Sequence, residues 1–110
     1  MRRRFWTGPA TAGRREIIRF VTRDGNAEKG RAYVEATTGL LRDFDPERVL
    51  PHWPEPDLLP NVCQVRVPGF AGYVLWVAAT GEAVAVVAAF RPGLATGQKV
   101  RRARRGLDEL

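Results

Sequence analysis

Two nearly uninterrupted apolar runs, residues 73–79 and 83–90, constrain the fold of this 110-residue chain more than any other feature. Each run has the length of a strand and is too short for a typical helix. Only residues 80–82, which include the Thr80-Gly81 pair, separate them. Two such runs around a short, glycine-containing turn are typical of a β-hairpin in the middle of a sheet.

A third strand is predicted just before this hairpin. Cys63, Val65 and Val67 alternate with Gln64 and Arg66, which is the pattern of a strand with one buried face. Residues 68–72 form a loop, and Arg91-Pro92-Gly93 ends the last strand. These three strands, joined by short connections, should be antiparallel.

The first 44 residues favour a short strand and two helices. Residues 3–7 are strand-like and lead to Gly8-Pro9, where proline suits the first turn of a helix. Apolar residues then recur at helical spacing, at Ala10, Gly13, Ile17, Phe20 and Val21, while Arg14, Arg15, Arg19 and Arg23 occupy the other positions. Asp24-Gly25 ends this helix.

The second helix begins at once. Asn26 is a good N-cap and Glu28 places negative charge in the first turn. Its apolar face comprises Tyr33, Thr37, Leu40, Leu41 and Phe44. Gly39 lies within this helix, and we expect a close contact with another element to require it. Two helices joined by two residues should form an antiparallel hairpin.

Residues 45–60 contain five prolines, at 46, 51, 54, 56 and 60, so they should form an extended connection. We expect its apolar side chains to anchor it, namely Val49, Leu50, Trp53, Leu58 and Leu59, with Trp53 an anchor and not a platform for a base. The predicted fold is α+β, in the order β-α-α-β-β-β, with the helical hairpin on one face of an antiparallel sheet. Residues 1–93 are predicted to be one domain, and residues 94–110 a basic C-terminal tail or helix.

Charge points to an acidic or nucleic-acid partner. The net charge is +6, with seven arginines in residues 2–24 and five cations in residues 99–105. A single cysteine and a single histidine offer no disulfide and no zinc site, so we expect no metal and no cofactor. No export signal follows the N-terminal arginines, and the apolar stretch 67–90 is divided by Pro68, glycines and Glu82. We therefore expect a cytoplasmic protein without a membrane segment.

Several segments resemble the RelE/ParE superfamily of bacterial toxins, in the family's order. Residues 4–10, RFWTGPA, are similar to the family's first strand and the start of its first helix. Residues 15–21, REIIRFV, are similar to the end of that helix, and residues 26–32, NAEKGRA, are similar to the start of the second helix. Residues 72–77, GYVLWV, resemble its Gly-Tyr-Arg-Val-x-Tyr strand, and residues 83–87, AVAVV, its last strand. The chain departs from the family at Val74, where arginine is usual, and at Phe90-Arg91-Pro92, where His-Arg or Arg-Arg is usual.

The resemblance implies the toxin of a type II toxin–antitoxin pair, neutralised by an acidic antitoxin that folds onto it. RelE-like members cut mRNA in the ribosome, and the candidate catalytic residues for that reaction are Arg66 and Arg91. Gln64 is not cationic, and no Tyr or His follows Tyr73. ParE-like members bind DNA gyrase and need no catalytic residues, which slightly favours that branch. Whether the chain is an enzyme stays open at this point, as does the alternative that both arginines are ordinary surface residues.

The candidate partner-binding residues are basic positions of the first helix, the end of the last strand and the C-terminal segment: Arg15, Arg19, Arg91, Lys99, Arg101, Arg102, Arg104 and Arg105. A solvated C-terminus without a partner is the alternative for the last five. A small basic nucleic-acid-binding module is a second alternative for the whole chain. Against it, the sequence contains no helix-turn-helix pattern, no zinc spacing and no RNP-like aromatic strand.

Overall fold

The two apolar runs form the central strands of a four-stranded sheet in the computed structural model, which describes residues 2–48 and 52–110. Strand β1 is Arg3–Trp6, β2 is Val62–Arg66, β3 is Val74–Ala79 and β4 is Ala83–Phe90. The order across the sheet is β1-β4-β3-β2. β2, β3 and β4 are antiparallel neighbours, which confirms the prediction for these three strands.

The first strand runs parallel to β4, so the sheet is mixed and not wholly antiparallel as expected. A period-two pattern specifies which face of a strand is buried and carries no information on strand direction. Tertiary contacts decide the direction here. Thr7 directly follows β1, and both its backbone N–H and its hydroxyl donate to the Val86 carbonyl, which places the end of β1 beside β4.

Helix α1 is Gly8–Asp24 and helix α2 is Ala27–Asp43, which confirms the helical hairpin and the N-cap Asn26. The Thr7 hydroxyl accepts a hydrogen bond from the Ala10 N–H, and the Asn26 side chain accepts one from the Lys29 N–H. Both bonds satisfy N–H groups that a helix start leaves without a partner. Gly25 is the C-cap of α1.

The hairpin packs on one face of the sheet and buries the larger part of the core. Its buried residues are mainly Ala10, Ile17, Val21, Tyr33 and Leu41, which lie against Cys63, Leu75, Val77, Val84, Val86 and Ala89. At the edge, the rings of Tyr33, Phe70 and Tyr73 contact one another edge-on, with centroids 5.4–6.1 Å apart. This packing follows the apolar periodicities of α1 and α2.

The second face of the sheet is covered as well, by helix α3, which is Thr96–Leu107. Val100 and Ala103 of α3 are buried against the face that carries Trp76 and Phe90. A β-bulge in β4 lies opposite the Trp76–Val77 step, where the pairing register shifts by one residue. The basic C-terminal segment is therefore a packed helix, and the sheet is covered on two faces where one was expected.

The expectations for three single positions were wrong. Trp53 and Leu58 do not anchor the connection, because their side chains are 43% and 52% exposed. Leu59 does, at 2% exposure, while Val49 and Leu50 lie outside the described residues. Gly39 makes no close contact, since a Cβ at this position would meet only the Arg42 guanidinium, at 3.5 Å.

The close approach between helices occurs instead at Gly30. A Cβ there would collide with the Thr22 hydroxyl of α1, so a larger residue would require the Thr22 side chain or one of the helices to move. Among the described residues, no helix is long and apolar enough to cross a membrane.

Candidate functional site

An aromatic ring among arginines lies where α1 meets the end of β4. We call this group the Phe20 cluster; it consists of Glu16, Arg19, Phe20, Arg23 and Arg91, which line one cavity of about 480 Å³. The first four follow one another at helical spacing on a single face of α1. Arg91 directly follows β4, the strand on which α1 packs.

Two guanidinium groups lie over the Phe20 ring. The Cζ atom of Arg91 is 4.9 Å from the ring centroid, and that of Arg23 is 5.9 Å away. Both distances are within the range of a cation–π interaction, which holds an arginine while leaving its N–H donors available. Arg23 also lies 3.6 Å from the Asp24 carboxylate. Within the described residues, Arg19 and Arg91 form no ion pair.

The direction of Arg91 follows from the pleat of β4. Phe90 packs on the α3 side of the sheet, with its ring 5.0 Å from that of Trp76. Successive side chains of a strand point to opposite faces, so the next residue points toward α1. Phe20 is only half-buried there and gives Arg91 an apolar surface.

A groove between α1 and α3 adjoins the Phe20 cluster. Its volume is about 250 Å³, and it is lined by Pro9, Ala12, Gly13 and Glu16 of α1, Ala88 and Ala89 of β4, and Arg102 and Arg105 of α3. Glu16 lines both this groove and the cavity of the Phe20 cluster. The groove and the cavity therefore adjoin at Glu16, and both combine apolar side chains with arginines.

The two candidate catalytic residues, Arg66 and Arg91, line different cavities. Arg66 lies with Lys99 in an open cavity of about 860 Å³, together with Gln64, Val67, Val74 and the loop residues 68–72. The lining of this cavity includes no Tyr, His, Cys, Asp or Glu. Gln64 is occupied by Trp76, whose indole N–H donates to the amide oxygen at 3.1 Å. Two cations can hold a phosphate, but general acid–base catalysis needs a group that exchanges a proton near neutral pH.

Two ionisable groups whose pKa is raised by burial are packed in the core. Burial raises the pKa of the Tyr33 hydroxyl, which has no hydrogen-bond partner within the described residues. Burial also raises the pKa of the Cys63 thiol, to about 11. Both groups are therefore neutral at physiological pH, and both belong to the core between the helical hairpin and the sheet.

Arg14 is a structural residue, although the sequence pattern grouped it with the solvated arginines of α1. Its guanidinium donates to the Thr37 hydroxyl at 2.8 and 3.1 Å and to the Val34 carbonyl at 2.9 Å, both on α2. The same group lies 4.3 Å from the centroid of the Trp6 ring. Burial lowers the pKa of Arg14 from its usual value. Arg14 therefore joins α1 to α2.

Five of the eight predicted partner-binding residues line three cavities. Arg19 and Arg91 belong to the Phe20 cluster, Arg102 and Arg105 line the adjoining groove, and Lys99 lies beside Arg66. Arg15, Arg101 and Arg104 are exposed. Sequence reasoning missed Phe20, Arg23 and Glu16 as members of a site. The signal was available, because positions 16, 19, 20 and 23 share a helix face, but Phe20 also fitted the apolar pattern of the core.

Comparison with known proteins supports the fold independently. No protein-family model and no curated protein matches this sequence. Among solved structures, the chain is similar to one described as "Chromosomal ParDE TA system from P. aeruginosa", with a TM-score of 0.64 and 16% sequence identity. The match covers 84% of this chain and 98% of that one. It confirms the fold that the resemblance to the RelE/ParE superfamily implies.

Proposed function

We propose that this chain is a ParE-like toxin, which inhibits growth by binding DNA gyrase and is neutralised by an acidic antitoxin. The observation that carries the proposal is the fold match to a chain of a ParDE toxin–antitoxin structure over 98% of that chain's length. The order of motifs along the sequence supports the same assignment. A fold alone does not specify a function, so the site has to provide the rest of the argument.

The Phe20 cluster and the adjoining groove suit an antitoxin. Antitoxins of this class resemble partly disordered acidic segments that fold on binding, and such a segment needs apolar contacts as well as charge to offset its ordering. The concave surface provides both, because Phe20, Pro9 and Ala12 lie between Arg19, Arg91 and the arginines of α3. We assign the antitoxin to this surface.

The cavity beside Arg66 favours target binding over RNA cleavage. It contains two cations, and its lining residues offer no group to take or give a proton at neutral pH. Arg91, the second candidate for the nuclease reaction, stacks on Phe20 and lines another cavity. A gyrase-binding toxin requires no such catalytic set. We therefore propose binding of gyrase as the mechanism and keep cleavage of ribosome-bound mRNA as the tested alternative.

Expression in bacteria tests the toxin assignment. Induction of this chain alone should arrest growth, and co-expression of a small acidic protein encoded next to it should restore growth. Normal growth at verified expression of the folded chain would contradict the proposal. Arrest with cleavage of ribosome-bound mRNA that Arg91→Ala abolishes would instead support the nuclease alternative.

The antitoxin surface is tested by charge reversal in the Phe20 cluster. The variant Arg19→Glu/Arg91→Glu should weaken antitoxin binding by at least about 100-fold, because close charge pairs contribute up to several kcal/mol across an interface. Arg31→Glu/Arg48→Glu is the matched control, since it reverses two exposed arginines outside this surface. Isothermal titration calorimetry measures both. Equal losses in the two variants would show that only net charge matters and would contradict the assigned surface.

A further inference from the structure

The cavity beside Arg66 is larger than the other cavities described above, at about 860 Å³. We call it the Arg66 cavity; its polar side chains are those of Gln64, Arg66 and Lys99, and the loop 68–72 forms one of its walls. It shares no lining residue with the Phe20 cluster or with the adjoining groove. The antitoxin surface proposed above therefore does not account for it.

Two elements bring cations into this cavity on the α3 side of the sheet. Gln64 is bonded to Trp76, whose ring packs on that side. Arg66 lies two residues further along β2 and so points to the same face, because successive side chains of a strand alternate. Lys99 comes from the beginning of α3, with its ammonium 5.9 Å from the centroid of the Phe90 ring. A strand and a helix thus direct one cation each into the same space.

The polar side chains of the Arg66 cavity are arranged as donors. Guanidinium and ammonium groups donate hydrogen bonds and accept none. An indole N–H also only donates, so its 3.1 Å bond from Trp76 fixes the Gln64 amide with the oxygen inward and leaves the NH₂ group for a ligand. Within the described residues, neither Arg66 nor Lys99 forms an ion pair. This set of donors is complementary to carboxylates.

The segments that build the Arg66 cavity contain almost no acid. Glu82 is the only acidic residue in positions 58–107, and it lies in the turn between β3 and β4. Arg66 ends β2 and pairs with the first residue of β3, at the other end of that hairpin. The length of β3, about 20 Å, therefore separates Glu82 from Arg66.

Three other acids belong to neighbouring segments, and none of them is among the described residues that line the cavity. Asp24 lines a separate cavity with other residues of the same loop, and its carboxylate is 3.6 Å from the Arg23 guanidinium. Glu55 and Asp57 lie in the connection before β2 and form no ion pair with either cation of the cavity. The cavity therefore keeps the positive charge of both cations.

The loop 68–72 gives the Arg66 cavity a wall that is formed before any ligand binds. The Val67 N–H donates to the Tyr73 carbonyl at 3.0 Å, and two further backbone bonds close the loop, from Phe70 to Val67 and from Tyr73 to Phe70. Gly72, at a φ of +83°, lies so close to Pro92 that a Cβ would be 2.7 Å from the proline ring. A preformed wall reduces the ordering that binding costs.

We infer that the Arg66 cavity binds an acidic segment of gyrase, with the side chains of Gln64, Arg66 and Lys99 holding its carboxylates. The inference rests on the proposed function and deepens it, because it names the surface that meets the target. Complementary charge across an interface supports recognition of the correct partner.

The wall favours a peptide over a nucleic acid as the occupant. Pro68 and Phe70 border the donors and offer apolar contact to the side chains of a bound peptide. Bases stack on open aromatic rings, whereas the Phe70 ring already contacts Tyr33 and Tyr73 edge-on.

Isothermal titration of intact, purified gyrase with the full chain tests the inference. Gln64→Glu is the sharpest variant, because a carboxylate still accepts from the Trp76 indole but replaces the NH₂ donor by a negatively charged oxygen. It should weaken gyrase binding by about ten-fold or more, as should Arg66→Gln/Lys99→Gln. Arg31→Gln/Arg48→Gln removes the same charge as the double variant from exposed positions outside the cavity and should bind within about two-fold of the wild type. Circular dichroism verifies that each variant is folded.

The possible results distinguish the inference from the proposed function. No binding of gyrase by the wild type would overturn both. Wild-type binding that Gln64→Glu leaves unchanged, or that falls equally in the two double variants, would overturn the cavity assignment alone. A labelled 20-base-pair DNA duplex is the comparison ligand. Duplex binding that Gln64→Glu abolishes, with gyrase binding unchanged, would overturn the inference and identify the occupant as a nucleic acid.

Discussion

At the residue scale, Arg14 shows how a charged side chain becomes part of the core. It supplies donors to Thr37, to Thr38 and to the Val34 carbonyl, so it satisfies polar groups that α2 places against α1. Thr37 is fully buried. Its hydroxyl in turn donates to the Tyr33 carbonyl of the preceding turn, at 2.8 Å. Loss of Arg14 would leave a buried hydroxyl without its cationic donor.

Replacement of Arg14 by methionine should therefore destabilise the protein. We expect the free energy of unfolding to fall by about 2–3 kcal/mol, because hydrogen bonds to charged groups are the stronger ones. Arg15→Met, at the exposed neighbouring position, is the control and should change the free energy of unfolding by less than about 0.5 kcal/mol. Urea denaturation measures both. Similar losses for the two variants would mean that Arg14 is not a structural clamp.

Tyr33 provides the opposite case, a buried hydroxyl without a hydrogen-bond partner among residues 2–48 and 52–110. Tyr33→Phe should raise the free energy of unfolding by about 1 kcal/mol at pH 8, because it removes an unsatisfied polar group from the core. The advantage should grow above about pH 10, where tyrosine ionises in the unfolded chain. Since burial raises the pKa of Tyr33, the folded state keeps its proton and the wild type loses stability as pH increases. A difference between the two proteins that stays constant from pH 8 to 11 would contradict this account.

At the scale of elements, replacing either of two helical glycines by alanine should change the stability of the protein, in opposite directions. Gly106→Ala should destabilise the protein by about 1–3 kcal/mol, because the new Cβ would overlap the backbone of Val87 in β4. Gly39→Ala should stabilise it by about 0.5–1 kcal/mol, because space is available and alanine is the better helix former. Thermal unfolding of both variants measures these two changes in stability. A destabilised Gly39→Ala variant would mean that this position is packed more tightly than the structure indicates.

The elements that could be predicted from sequence are those with a clear period. Strands β2, β3 and β4 and the helices α1 and α2 agree with the predicted ones within a residue or two, because their buried faces impose a repeat of 2 or 3.6. The packing of α3 was not predictable, because Val100 and Ala103 are too few among arginines to define an apolar face. No local feature of the sequence indicates whether β1 runs parallel or antiparallel to its neighbour. In the site, Arg19 and Arg91 were predicted from charge, while Phe20 was assigned to the core.

At the scale of the whole molecule, the basic residues are sorted onto surfaces of different character. The Phe20 cluster and its groove combine arginines with apolar side chains in a concave surface. Arg101 and Arg104 of α3 are exposed and lie outside this surface. The net charge of +6 should also speed association with an acidic partner.

Supercoiling by purified DNA gyrase, measured with this chain added in stoichiometric amounts, tests the central claim most directly. We predict that conversion of relaxed plasmid to the supercoiled form falls as the chain is added, and that the antitoxin restores it. In a parallel in vitro translation reaction, synthesis of a reporter protein should continue unchanged, with its mRNA intact. Unchanged supercoiling together with cleavage of the mRNA on ribosomes would contradict the account and identify the chain as a nuclease.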